Sequence, residues 1–379
     1  RRQILKELSG SDFLDVLPLW IGTLQEIDNT LPVAARMFDV VIFDEASQID
    51  QMRAAPALAR AKRAIVVGDP RQLRHVSFVA DDTMDGAAKN NDIPASIARI
   101  LDVRRNSLFD AAAAVSPITW LDEHFRSVPH LISFSDRSFY GGNLRLMTQH
   151  PAVETRDAIH TVTVSGSRDS GGVNRVELSA VLDQIRRLAE AGHNSIGVVS
   201  PFRAQADAIE ESILTTYGPE DVTRLGLRVG TVHAFQGNER DVVIASLAIG
   251  PEDAAGSLRF LQDPNLFNVL ITRARQEMIV VTSVRPDDLP DGLLAQYLRH
   301  AEHSPRPLDA SVSAEAGSPA GRLTTRFSMP WSSSTRMASA LPGSSGTNSM
   351  CFKRPTCFSE STSPAPVSYT HLTPADEGV

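Results

Sequence analysis

Cysteine is nearly missing from this sequence: Cys351 and Cys357 are the only two among 379 residues. Two thiols cannot build a disulfide framework or, unaided, a four-ligand zinc site. Long apolar runs are missing too. No stretch approaches the ~18 consecutive apolar residues of a membrane-spanning helix, and the opening Arg1-Arg2-Gln3-Ile4 has no signal-peptide character. A soluble, cytoplasmic protein with no membrane partner is therefore expected. The chain does not begin with Met, so its true N-terminus is expected to lie upstream. An excess of positive charge is the third absence, the formal net charge being −8. That balance does not advertise nucleic-acid binding, yet a basic groove can sit on an acidic molecule. What is present is ordinary for a globular protein, with 42% apolar and 22% charged residues and length enough for two cores.

The first informative stretch is Phe38-Asp39-Val40-Val41-Ile42-Phe43-Asp44-Glu45. Four apolar residues ending at two carboxylates predict a strand buried on both faces. In open parallel sheets, ligands bind beyond the carboxyl ends of strands, which is where Asp44 and Glu45 emerge. One carboxylate there can hold a magnesium ion while its neighbour acts on a water. Read alone, the pair is first of all an acidic strand end without further duty.

Other elements follow in order. Leu17 to Gly22 suggests a short extended piece, and Thr23 to Ala35 a helical turn interrupted at Pro32. Met52 to Ala61 suits a helix, and Ala64 to Val67 a second strand closed by the turn Gly68-Asp69-Pro70-Arg71-Gln72-Leu73. Gln72 could sense a bound phosphate, or the turn could be turn chemistry alone. Residues 79–118 are mixed in character and are expected to link two domains. Arg126 precedes a helix predicted over Val128 to Tyr140, with Pro129 in its first turn. It reads either as a surface arginine or as a cation placed on a transferring phosphoryl group.

Asn174 and Glu177 form a capping signature for a helix whose Leu178, Val181, Leu182, Ile185 and Leu188 share one face, with Gly192 beyond its end. Strands are predicted at Ser195–Ser200, Val229–Ala234, Asp241–Leu247 and Met278–Thr282. Strands alternating with helices describe a second α/β domain with a mainly parallel sheet. A turn at Gly237-Asn238 and an amphipathic helix over Asn268 to Arg275 are the plain readings of the segments between them. From residue 304 half of the residues are Ser, Pro, Thr or Gly. Disorder is expected there, because such a segment cannot offset the entropy of ordering itself. Its final part, Pro366 to Val379, is expected to be frame-shifted or vector-derived.

Taken together, the segments resemble the ordered motifs of superfamily 1 DNA/RNA helicases, in the group that includes the nonsense-decay helicases. Val41 to Gln48 is similar to motif II, and Val67 to Leu73 to motif III. Leu121 to Ser127, with Phe139-Tyr140-Gly141-Gly142, is similar to motif IV. Val199 to Gln205 resembles the next motif, with Phe202 where Tyr is usual. Val229 to Glu239 resembles motif V and Asn268 to Arg275 motif VI. Leu19-Trp20-Ile21 and Phe38 to Gln48 also resemble large bacterial helicase-like proteins, many of which continue into a nuclease-like domain. Leu289 to Ala301 looks like a lead into such a domain. The tail shows no Asp…Glu-x-Lys set, so no nuclease activity is predicted for this chain.

The resemblance implies an α/β fold with two RecA-like P-loop NTPase domains. The first, residues 1–115, would be incomplete, the second would span 116–302, and the tail 303–379. Motif I, G-x-x-x-x-G-K-[ST], does not occur in the sequence and is expected upstream of Arg1. The resemblance further implies ATP and Mg²⁺ as cofactors and single-stranded DNA or RNA as partner. Asp44 would hold the metal, Glu45 would act on the attacking water and Gln72 would read the γ-phosphate. Arg126 and Arg273 would be paired cations. Asp69, Gln236, Gly237 and Glu239 would line the nucleotide site, and Arg203, Thr231 and His233 the nucleic-acid face. Two alternatives stay open: a binding module without ATPase activity, and a translocase that never separates strands.

Overall fold

The computed structural model describes Leu14 and residues 17–303, apart from Phe78 and residues 252–254. The expectations for the tail, with its cysteine pair, fall on residues 304–379 and lie outside the described residues, apart from the boundary residue His303.

Thr23 caps the first helix, Leu24–Thr30, in a capping box with Glu26. Two parallel strands follow, β1 (Phe38–Phe43) and β2 (Ala61–Val66), joined through helix Gln51–Ala59. Asp50 accepts from the Arg53 N–H at 2.8 Å and starts that helix. A small core of Phe43, Ala46, Ala54, Ala57 and Leu108 lies on one face of the pair. β1 is not buried on both faces as predicted: Val40 is 44% and Ile42 65% exposed. Among the described residues this sheet has two strands, and helices cover one side of it. The expected link, 79–118, is no bare connector. It forms helices Asp81–Asn90, Ala95–Ile100 and Leu108–Ala113, the last packed into this core.

The larger sheet has five parallel strands: β5 (Ile159–Thr163), β6 (Ile196–Ser200), β7 (Arg228–Thr231), β8 (Arg240–Ser246) and β9 (Ala274–Thr282). Their order is β5-β9-β8-β6-β7. A short parallel pair, β3 (Glu123–His124) and β4 (Arg145–Leu146), stands apart; these two strands precede β5 in the chain. Successive side chains serve opposite faces of the five-stranded sheet. Val242, Ile244, Ile279 and Val281 join Val181, Ile185 and Ile209 of helices Arg175–Glu190 and Arg203–Thr216 on one side. Val243, Ala245, Met278 and Val280 join Phe267 and Tyr297 of helices Pro264–Ile271 and Leu293–Ala301 on the other. The stretch taken as a lead into a further domain is thus part of this core, with Leu294, Tyr297 and Leu298 buried. β5 escaped prediction because an edge strand reading Ile-His-Thr-Val-Thr has too few apolar residues to show a run.

Gly197 of β6 is required by packing, since a Cβ there would lie 2.6 Å from the Phe235 ring. The helix predicted over Val128–Tyr140 is α-helical only for Pro129–Ser135. It widens to a π-turn over Asp136–Tyr140 and stops at Gly141, φ +67°. Among the described residues no helix is long and apolar enough to cross a membrane.

Candidate functional site

The carboxyl ends of β1 and β2 are tied together. The Ala46 N–H donates to the Val67 carbonyl at 2.9 Å, and the Val67 N–H to the Phe43 carbonyl at 2.8 Å. Between them Asp44 and Glu45 are exposed, as the apolar run predicted. Glu45 occupies the left-handed region, φ 52°, and starts a 3-10 turn. Asp44 Oδ1 accepts from the Glu45 N–H at 2.9 Å, and Glu45 Oε2 accepts from Gln48 Nε2 at 3.0 Å. Gly68 allows the second loop to lie against the first, since a Cβ there would meet the Ser47 N and Oγ at 3.0 Å.

That second loop leaves the first sheet and docks on the larger domain. Leu73 is buried in the core that also holds Val128, Leu131 and Phe134. Three consecutive carbonyls of the loop are gripped from helix Pro264–Ile271. Asn265 Nδ2 donates to the Pro70 carbonyl at 3.1 Å and to that of Gln72 at 2.6 Å. Asn268 Nδ2 donates to the Arg71 carbonyl at 2.9 Å. Gln72 Nε2 donates to Asp69 Oδ2 at 3.2 Å, and the Tyr140 hydroxyl donates to the same oxygen at 2.7 Å. Burial, then the neighbouring Asp69 charge, push the Tyr140 hydroxyl well above its ordinary pKa, so it stays protonated.

Arg273 follows the same helix and is 2% exposed. Its Nε donates to the Val269 carbonyl at 2.9 Å, and Nη2 reaches Thr272 Oγ1 at 3.4 Å. Burial, then the nearby Arg126 cation, bring its pKa down to about 10, while Glu45, Glu239 and Tyr140 oppose the shift. It is therefore charged at neutral pH, with no hydrogen bond or ion pair to a carboxylate among the described residues. Arg126 is half-exposed and pairs with Glu239. Arg275 Nε donates to the other oxygen of Glu239 at 2.8 Å and lies 3.6 Å from Asp241. Beside Arg126, burial and that cation lower His124 to about 4. Its neutral ring accepts from the Ser127 N–H at 2.8 Å. Gln236 keeps a buried Nε2 with no partner among the described residues, next to Gly237 at φ +74°.

The structure thus gathers Glu45, Arg126, Arg273 and Glu239 within one electrostatic neighbourhood, with Asp69 and Gln72 alongside through Tyr140. It places Arg203, Thr231 and His233 elsewhere. Thr231 pairs in register with Ser200 at the carboxyl ends of β6 and β7, whereas Arg240 and Ala274 pair at the amino ends of β8 and β9. Because the strands are parallel, these lie at opposite ends of the strands. Arg203 opens its helix and is exposed, its nearest acid being Asp207 at 3.9 Å. His233 is exposed, and Thr231 Oγ1 accepts from the Ala234 N–H at 3.2 Å.

Sequence reasoning assigned no role to Tyr140, Asn265, Asn268 or Arg275. Three of them lie inside quoted motifs, but nothing local reveals that Asn268 and Tyr140 meet.

Residues 104–285 match the AAA_12 AAA domain, and residues 7–78 match AAA_11, also an AAA domain. Several relatives are named as helicases. "Uncharacterized ATP-dependent helicase MG140" of Mycoplasma genitalium is 29% identical over 316 residues, 76% of this chain and 27% of that protein. "DNA polymerase alpha-associated DNA helicase A" of Saccharomyces cerevisiae is 25% identical over 66% of this chain and 39% of that protein.

The chain belongs to the superfamily 1 helicases.

This helicase chain spans about a quarter of the length of the Mycoplasma protein. "Probable helicase MAGATAMA 3" of Arabidopsis thaliana is 29% identical over 65% of this chain and 30% of its own length. Among solved structures, an arterivirus nonstructural protein 10 (helicase) with DNA is similar over 66% of this chain and 42% of that one, at TM-score 0.34 and 15% identity.

Proposed function

We propose that this helicase chain forms part of an ATP-driven motor that moves along, or unwinds, single-stranded DNA or RNA. The observation that carries the reading is Arg273: a charged guanidinium, 2% exposed, without a carboxylate partner among the described residues. A buried cation is costly unless an anion completes the site. Arg126 stands beside it and Glu45 acts on it from the first sheet. Two cations and a carboxylate are the parts needed to spread the charge of a transferring phosphoryl group and to orient a water. Residues 1–115 and 116–302 are the two halves between which the nucleotide binds.

In this reading Glu45 takes the proton of the attacking water and Arg126 and Arg273 stabilise the charge that develops. Gln72 senses the terminal phosphate through its amide. Asp69, Gln236, Gly237 and Glu239 line the nucleotide site, where the unpartnered Gln236 Nε2 can find an acceptor. Among the described residues no three His, Cys, Asp or Glu side chains gather to hold a metal alone. Mg²⁺ fits all the same, because it keeps several waters and needs only one or two carboxylates besides phosphates. Exposed Asp44 is the residue that would hold it, and the ion would neutralise phosphate charge there. Arg203, Thr231 and His233 face nucleic-acid phosphates at the carboxyl ends of β6 and β7, the opposite end of the strands.

The name of an Arabidopsis relative, "DNA replication ATP-dependent helicase/nuclease JHS1", which is 26% identical, supports a nuclease domain in the whole protein. The test of the motor reading is Glu45→Gln in a protein carrying a P-loop together with this chain. Nucleic-acid-stimulated phosphate release is expected to disappear while ATP binding remains. Unchanged turnover would sink the general-base role. Stimulated ATPase without strand separation would favour a translocase.

A further inference from the structure

Asn268, Tyr140 and Asp69 form a chain of hydrogen bonds at the junction of the phosphate-sensing loop with the larger domain. Asn268 is buried and all of its polar atoms are used. Its Oδ1 accepts from Ser135 Oγ at 2.5 Å, and its Nδ2 donates to the Arg71 carbonyl and to Tyr140 Oη, each at 2.9 Å. Tyr140 Oη therefore accepts once and donates once, to Asp69 Oδ2 at 2.7 Å. That oxygen also accepts from the Gln72 amide at 3.2 Å. A phenol, having one O–H, can fill both roles only in this direction, so the chain of bonds has a defined polarity.

The buried cation, Arg273, stands two residues beyond the end of the same helix. The Asn268 carbonyl accepts from Thr272 Oγ1 at 2.7 Å, and Arg273 Nη2 reaches that hydroxyl at 3.4 Å. The π-turn over Asp136–Tyr140 swings Tyr140 toward the loop, a local departure from α-helix of a kind frequent at functional sites.

We propose that Tyr140 and Asn268 are positioning residues: acting through Asp69, they hold the Gln72 amide in register with Arg273, so that sensor and cation move as one unit with helix Pro264–Ile271. Neither residue touches the nucleotide in this scheme. The inference rests on the motor reading above and adds the coupling between two of its parts. Hydrogen-bond networks of this kind are best apportioned by double-mutant cycles, because their members act together.

The experiment compares Tyr140→Phe, Gln72→Ala and the double variant in the P-loop-containing protein, with nucleic acid present. Phe keeps the ring and removes only the hydroxyl. For Tyr140→Phe, kcat for ATP is expected to fall about 10- to 100-fold with KM within about twofold, as for a misplaced group outside the binding contacts. The double variant is expected to turn over no more slowly than Gln72→Ala alone. Losses that multiply, or a Tyr140→Phe protein with wild-type kcat, would overturn the coupling and leave the motor reading standing. A wild-type protein with no ATP turnover would overturn the motor reading and the coupling with it.

Discussion

Arg126 and Arg275 hold a single carboxylate, that of Glu239, one on each oxygen. Arg126 comes from the segment after β3, Arg275 from β9, and Glu239 from the loop before β8. The pairing ties a half-exposed arginine to the loop before β8 and, through Arg275, to β9.

Arg126→Ala separates chemistry from folding. Its ion pair is partly exposed, and such pairs contribute little to stability. The thermal midpoint is expected to stay close to wild type, while ATP turnover falls about 1000-fold, the scale for loss of a phosphoryl-directed arginine. Steady-state ATPase assays beside a melting curve check both halves, and turnover within a factor of two of wild type would remove Arg126 from the site.

Arg273→Met carries a different expectation. The guanidinium is desolvated without a carboxylate partner, so an apolar chain of similar length relieves a cost as well as losing the bond to the Val269 carbonyl. Unfolding free energy in denaturant is expected to be unchanged or raised, with ATP turnover abolished. A large loss of stability would mean that Arg273 is structural.

Glu177 supplies the pH prediction. It is fully buried among Ser246, Ser283, Asn174 and the Ala248 N–H, and burial pushes its pKa up from 4.5 to about 7. The folded state then binds the proton more tightly than the unfolded chain. Its contribution is present in full below pH 4.5 and is lost as pH rises toward 7, by roughly 3 kcal/mol in all. His124 and His300, each lowered to about 4 by burial, act with the opposite sign over a similar range. The difference between wild type and Glu177→Gln is therefore the quantity to follow. Across pH 4.5 to 7 it is expected to shift in favour of the variant, and a flat difference would contradict the assignment.

Much of this fold is legible without coordinates. Runs such as Val242–Ala245 and Met278–Val281 predict strands buried on both faces, and the five-stranded sheet buries them so. Asn174 caps its helix through the Glu177 N–H at 3.1 Å, as the spacing indicates. β1 misleads, because an apolar run reports the burial a strand is suited to and not what covers it. Asp44, Glu45 and Gln72 could be put forward as candidates because their loops follow strands directly, where parallel sheets place their ligand sites.

The amino-acid sequence by itself determined the parallel α/β class, the order of the helicase motifs and the candidate acids and arginines. The fold class follows from periodicity, turn chemistry and spacing, which act over a few residues, whereas the motif order and the candidate acids and arginines are what the resemblance to helicases implies. Tertiary structure alone decided that Leu73 enters the second core, that Tyr140 and Gln72 share one Asp69 oxygen, and that Arg273 is buried while Arg126 is paired. Tyr140 and Asn268 are 128 residues apart yet 2.9 Å from contact atom to contact atom. Such meetings depend on how helices and sheets pack across the whole chain, and no local pattern encodes them.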